Sequence, residues 1–328
     1  MQAARLFRHR LTGRARLASA VIAGAAVLAI PVAGAVPPAA AAQQAARAAG
    51  AQQARPSQLE QSAPAKIAAR AAELANATTG KQLWGRRQYT ARPIASLTKL
   101  MTAFVVVKAG RLDRQIKVTA ADVRYAQEHN ATSAGLHAGD VLTARQLLYA
   151  MMLPSGADAA KALADSFGPG AQAFVRKMNA AAHDLKLVNT HFTNFDGLLS
   201  TDVSTPRNLL LLGEAAMAKS LIRTVVKTRR YLLGAAPHHR RYLWTNTNLL
   251  LGKYPGAIGI KTGWTDAAGE CLLFEATHNK QTLIGVVLHS ASTKTGATFT
   301  DATKMLNWGF GLNVAVIVPR PPAGVPME

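Results

Sequence analysis

The chain has 328 residues, 49% of them apolar, which is material for one large core or two modest ones. Its single cysteine, Cys271, excludes an internal disulfide framework and leaves the redox compartment open; it sits in the apolar run Cys271-Leu272-Leu273-Phe274, where a buried structural thiol is expected. Lysine and arginine total 38 against 17 acids, a formal net charge of +21 that suits polyanionic surroundings, and no zinc-finger spacing or aromatic RNA-binding signature turns that charge toward nucleic acid.

In chain order, residues 1–16 carry Arg5, Arg8, Arg10, Arg14 and Arg16 with no acid, and Leu17 to Val36 is small and apolar. This is the pattern of a secretory signal, with Ala-x-Ala triplets at Ala33-Gly34-Ala35 and Ala40-Ala41-Ala42 as cleavage sites. The alternative is an uncleaved N-terminal membrane anchor, which Gly24, Pro31 and Gly34 weaken. Residues 43–66 are rich in Ala, Gln and Pro and are expected to be a linker. Loss of residues 1–42 removes five arginines and no acid, which leaves a charge of about +16. Anionic wall polymers are the polyanion that would meet such a surface outside the cell; a merely solvated basic surface is the plain alternative.

The folded part is expected over 67–312, followed by a Pro-rich tail, 313–328. Asn76-Ala77-Thr78-Thr79-Gly80 predicts a hairpin turn between two strands. Pro93 and Ala95 then open an apolar run that predicts a buried helix reaching Val107, with Ser96 and Lys99 on one face of its first turns. Leu147, Leu148, Met151 and Met152 place a helix over Ala144–Leu153, with those methionines in the core. Further helices are predicted over Ala157–Phe167, Ala171–Leu185, Pro206–Ala218 and Thr300–Trp308, and a buried strand over Thr282–Leu288. Strand signals at both ends with helices between predict an α+β domain whose two ends share one sheet.

A serine hydroxyl is a poor nucleophile at neutral pH, and a lysine one turn away can take its proton if burial keeps the amine neutral. Ser-x-x-Lys alone arises by chance about once in a chain of this length. Further pieces change its meaning. Pro154-Ser155-Gly156-Ala157-Asp158 sets a second serine in a tight loop between two helices. Tyr254-Pro255-Gly256 is a turn leading into Ile258-Gly259-Ile260-Lys261-Thr262-Gly263-Trp264, a strand carrying Lys-Thr-Gly, and His191-Phe192-Thr193-Asn194-Phe195-Asp196-Gly197-Leu198 is another punctuated loop between these two pieces.

With these three motifs in this order, and with Asn246-Thr247-Asn248-Leu249-Leu250 and Asp266-Ala267-Ala268-Gly269 around the third, the chain resembles the serine-type D-alanyl-D-alanine carboxypeptidases. These are the low-molecular-mass penicillin-binding proteins of peptidase family S11, which share their fold with serine β-lactamases. The resemblance runs from about Ile67 to Phe310. It implies an antiparallel sheet flanked by helices, with a helical cluster inserted in the middle of the chain. It implies that Ser96 attacks the penultimate D-alanine carbonyl of a peptidoglycan stem peptide, Lys99 serves as base, and Ser155 passes a proton toward the leaving amine. Lys261 would add positive potential, Thr262 would hold the substrate carboxylate, and Gly263 and Trp264 would border the substrate, with the N–H groups of Ser96 and Trp264 as oxyanion hole. β-Lactams are then covalent inhibitors. No metal or other cofactor, no nucleic acid partner and a monomer are expected, in a protein exported to the periplasm or cell wall.

The sequence departs from the family in its second motif, Ser155-Gly156-Ala157, where Ser-x-Asn is usual. This opens an alternative: a DD-endopeptidase, or a β-lactam- or wall-binding protein with weakened turnover. Phe195-Asp196 and Lys186 are lesser departures. A class A β-lactamase would want Ser-Asp-Asn and a deacylating glutamate, and neither is apparent. His-Glu-x-x-His is absent, His183 and His191 read as packed or solvated, and His238-His239-Arg240-Arg241 reads as a basic surface turn. Lys-Thr-Gly recurs at Lys294-Thr295-Gly296 in a polar stretch that reads as a surface loop, so Lys261 is taken as the motif lysine.

Overall fold

In the computed structural model, which describes residues 63–317, the two ends of the folded chain pair with each other. The signal or anchor expected over 1–42, most of the linker, and the tail from 318 onward lie outside the described residues. Five antiparallel strands form the main sheet in the order Gln82–Arg86, Ala71–Asn76, Gln281–Leu288, Gly269–His278, Ala257–Thr265. Ala71 stands opposite Leu288 and Asn76 opposite Leu283, so the first and last strands of the sequence lie side by side. The expected hairpin forms because Asn76 Oδ1 accepts from the N–H groups of Thr78 and Thr79, at 2.9 and 3.0 Å, and Gly80 supplies the positive φ of 66°.

The two-residue period of the strands divides their side chains between two cores. Leu272, Phe274, Leu283 and Val287 face one side, covered by the Ala297–Phe310 helix through Phe299, Ala302, Met305 and Leu306. Cys271, Leu273, Ile284 and Val286 face the other, under the helical cluster. There the Pro206–Met217 helix lies directly on the sheet at Gly213, where a Cβ would come within 2.8 Å of Ile284 Cδ1. The expected α+β arrangement, with an antiparallel sheet and an inserted helical cluster, is therefore present.

Helices occur at Ala144–Met152, Ala157–Phe167 and Ala171–Asp184, close to their expected limits. The first is started by a capping box in which Thr143 and Gln146 satisfy each other's backbone N–H groups. One expectation needs correcting. The helix after Pro93 is an α-helix only over Thr98–Ala109, and Ser96 lies in a one-turn 3₁₀ helix, Ala95–Leu97, that precedes it. The positive φ of Ala95, 48°, breaks α-geometry at that point. Two short helices, Ala120–Glu128 and Ser220–Lys227, were not anticipated; the second precedes a hairpin, Arg230–Leu233 with Tyr242–Thr245, whose exposed loop holds the His238–Arg241 turn.

Glu275 is a buried carboxyl on the helical face of the sheet. Burial pushes its pKa up to about 7, against the pull of Arg223. The folded state thus holds a proton that the unfolded chain releases, so this group's effect on stability falls as pH rises from about 4.5 to about 7. Glu275→Gln is expected to be more stable than the parent by about 1–3 kcal/mol at pH 8 and to lose most of that advantage near pH 4, as read by urea unfolding at both values.

Candidate active site

Lys99 follows Ser96 by three residues, and the turn brings their side chains together: Lys99 Nζ donates to Ser96 Oγ at 3.0 Å and to the carbonyl oxygen of Asp196 at 2.8 Å. The lysine is 1% exposed. Burial lowers its pKa from the ordinary lysine value, and the carboxylates of Asp196, Asp158 and Asp202 oppose that shift.

The 191–205 loop that supplies the Asp196 carbonyl is clamped to the Thr98–Ala109 helix. Thr102 Oγ1 donates to the Phe195 carbonyl at 2.6 Å. The buried Asp202 carboxylate accepts from the N–H groups of Thr193 and Asn194, at 2.6 and 3.0 Å, and from Thr98 Oγ1 at 3.3 Å, while its own carbonyl accepts from Ile94 N–H. Gly197, at φ 86°, passes so close to the Ser96 turn that a Cβ would lie 1.9 Å from the Ala95 carbonyl oxygen.

The Lys-Thr-Gly strand, Ala257–Thr265, is the edge of the sheet and lies against the same turn: a Cβ on Gly263 would be 3.1 Å from Ser96 N. Lys261 is 1% exposed, and its Nζ donates to the Thr262 carbonyl at 2.9 Å. Burial first, and then the charge of Lys99, hold its pKa well below the ordinary lysine value. Thr262 Oγ1 shares a 2.6 Å hydrogen bond with Thr247 Oγ1. Ser155 stands between two helices at a φ of 69°, an uncommon conformation for a side chain other than glycine.

A cavity of about 340 Å³ is lined by Ser96, Ser155, Thr262, Gly263 and Trp264, together with Thr132, Thr247, Glu270 and Lys294. The structure thus gathers the expected residues, with Lys99 and Lys261 buried and bonded to Ser96 and to Thr262. Ala157 is 1% exposed and contributes its N–H to the Thr132 carbonyl. The partners just described hold the two lysines without an amide at that position.

Lys294 is in an exposed loop, as expected, but that loop also borders the cleft. Its ammonium lies 4.2 Å from the centroid of the Trp264 ring. The Glu270 carboxylate fixes the loop by accepting from Gly296 N at 2.5 Å and Thr298 N at 3.2 Å. Sequence reasoning missed this rim, and it missed Asp196, Asp202 and Gly197 as supports of the Ser96 turn. The Cys271 thiol is buried and pushed up to about 12, which makes it inert as a nucleophile. Among the described residues no cluster of His, Cys, Asp or Glu has the makings of a metal site.

The model of the family described as D-alanyl-D-alanine carboxypeptidase, Peptidase_S11, matches residues 57–292. The chain is 45% identical over 259 residues to the D-alanyl-D-alanine carboxypeptidase of Streptomyces sp. strain K15, covering 75% of this chain and 88% of that protein. It is 30% identical over 262 residues to a D-alanyl-D-alanine endopeptidase of Escherichia coli K12, covering 79% and 82%. The crystal structure of the Streptomyces K15 DD-transpeptidase superposes with a TM-score of 0.72 at 43% identity, over 76% of this chain and all of the other. The turn that sets Lys99 against Ser96, the edge strand laid on it and these likenesses agree: the chain belongs to the D-alanyl-D-alanine carboxypeptidase family of serine peptidases.

Proposed function

We propose that this protein, a serine D-Ala-D-Ala carboxypeptidase by family, trims the terminal D-alanine from peptidoglycan stem peptides through an acyl-enzyme on Ser96. The observation that carries the assignment is the 3.0 Å contact between Lys99 Nζ and Ser96 Oγ, made by an amine whose burial favours the neutral form. Lys99 takes the hydroxyl proton as Ser96 attacks the penultimate carbonyl. Ser96 N–H is at the start of a one-turn helix, where the first amides have no acceptor within the helix, and with Trp264 N–H it stabilises the oxyanion. Ser155 delivers a proton to the departing amine, Lys261 contributes positive potential, and Thr262 binds the substrate carboxylate. Water then releases the shortened peptide. β-Lactams acylate the same serine. This work is done outside the cytoplasm, on the wall.

Purified protein incubated with benzylpenicillin should gain the mass of one drug molecule, mapped by digestion to Ser96, and should release D-alanine from a stem pentapeptide. An adduct without D-alanine release, accompanied by cleavage of cross-linked stems, would replace this reading with the endopeptidase one. No adduct on a folded preparation would remove Ser96 from its role.

A further inference from the structure

A second cavity, of about 730 Å³, opens beside the cleft. It is lined by Lys227 at the end of the Ser220–Lys227 helix, Arg229 and Arg230 at the start of the hairpin, Lys253 in the following turn, and Asn246 and Asn248. Among the described residues no acidic side chain lines it, and none of its four cations is in an ion pair. Four like charges around one concavity repel one another, and the arrangement gains most from an anion between them.

The cavity is more than a patch of loose lysines. The Arg229 guanidinium is seated over Gly252, where a Cβ would come within 2.7 Å of its Cζ. Asn246 ties the segments together: its Nδ2 donates to the carbonyls of Val226 and Thr228, at 3.0 and 3.1 Å, and its N–H to Arg229 at 2.9 Å. Asn248 is 2% exposed; its Oδ1 accepts from Leu250 N–H, but its Nδ2 has no hydrogen-bond partner among the described residues. A buried donor without an acceptor is destabilising, and a ligand rich in acceptors would relieve that. Leu249 lines both this cavity and the cleft, and its neighbour Thr247 faces the cleft, so one short segment is the wall between the two.

We propose that this cavity docks a polyanion of the phosphodiester type, a wall polymer with one phosphate in each repeat, and so holds the protein at the wall with its cleft alongside. Phosphate oxygens only accept hydrogen bonds and stay charged throughout the physiological range, which fits a lining of guanidinium, ammonium and amide donors. Four cations spread over 730 Å³ match several charges in a row better than one carboxylate. The assignment is independent of the roles given to Ser96 and Lys99.

The test is the affinity of the full chain for poly(glycerol phosphate) oligomers by fluorescence anisotropy, at low and high salt. The triple variant Arg229→Ala/Arg230→Ala/Lys253→Ala is expected to bind about tenfold more weakly or worse, with benzylpenicillin acylation unchanged. Asn248→Asp, which swaps the unpartnered donor for a carboxylate of the same shape, should also weaken binding. Lys81→Ala/Arg124→Ala/Arg176→Ala removes the same charge from exposed positions elsewhere and should bind nearly as the parent does. The proposal is overturned if the parent does not bind, if the remote triple loses as much as the cavity triple, or if poly-γ-glutamate binds as tightly as the phosphate polymer. It is equally overturned if the cavity triple keeps its polymer affinity and instead raises KM for the stem pentapeptide, which would make the cavity part of the peptide site.

Discussion

Lys99→Met is expected to slow acylation of Ser96 by benzylpenicillin by about 10²- to 10⁴-fold, the usual contribution of a positioned general base. Methionine fills a similar buried volume, so the fold should survive; the change leaves one Asp196 carbonyl without its donor, a loss of about 1 kcal/mol, and relieves the burial of an amine. Ser96→Ala should give no adduct at all, because the atom that forms the bond is gone. The parent should also show a pH signature. Burial lowers the Lys99 pKa, so the acylation rate should rise with pH through an apparent pKa below the ordinary lysine value, and Lys99→Met should flatten that limb. Adduct formation followed by intact mass against time and pH measures all three outcomes. A Lys99→Met protein that acylates at the parental rate would sink the assignment of Lys99 as base.

The second large effect is expected at a residue that has no side chain of its own. Gly197→Ala places a methyl 1.9 Å from the carbonyl oxygen and 2.3 Å from the carbonyl carbon of Ala95, and both are backbone atoms that no rotamer change can move. The glycine's φ of 86° adds strain for any larger residue. Either the 3₁₀ turn or the 191–205 loop must shift, and with it the Asp196 carbonyl that positions Lys99. The expected cost is about 2–4 kcal/mol of stability and about 10²-fold in acylation, the price of misplacing reacting groups by an ångström. Gly139→Ala is the control: it has a positive φ of 98° but open space around it, so it carries the conformational strain without the clash. Urea unfolding and acylation rates on both variants separate the two contributions; equal losses in the two would mean that the contact with Ala95 is unimportant.

The sequence made the make-up of the candidate site legible where side-chain type and spacing carry it. Ser96 and Lys99 at helical spacing, Lys261 after an apolar strand and Ser155 in a loop between two helices all converge on one cleft or on residues bonded to its lining. The Ala157–Phe167 helix and the Asn76–Gly80 turn are local patterns and formed as expected. The missed parts work through the backbone or across the sheet. Asp196 serves Lys99 by its carbonyl, which any residue has, so its identity gives no signal. Lys294 sits in a polar run that reads as solvent-facing. Only the fold brings it over Trp264, with Glu270 holding the loop in place. Ser96 read as α-helical because Pro93 and Ala95 open an apolar run around it, and the positive φ of Ala95 has no cue in residue type.

The pairing of Ala71–Asn76 with Gln281–Leu288 dictates a timetable for acquiring activity. While the chain is being made, its first strand has no partner on one side, and the edge strand bearing Lys261 has not yet arrived to meet the Ser96 turn. Such long-range pairing folds slowly, because distant segments must be brought together before any contact rewards them. The cleft, whose Lys261 strand must pair into that sheet and reach the Ser96 turn, is therefore completed late.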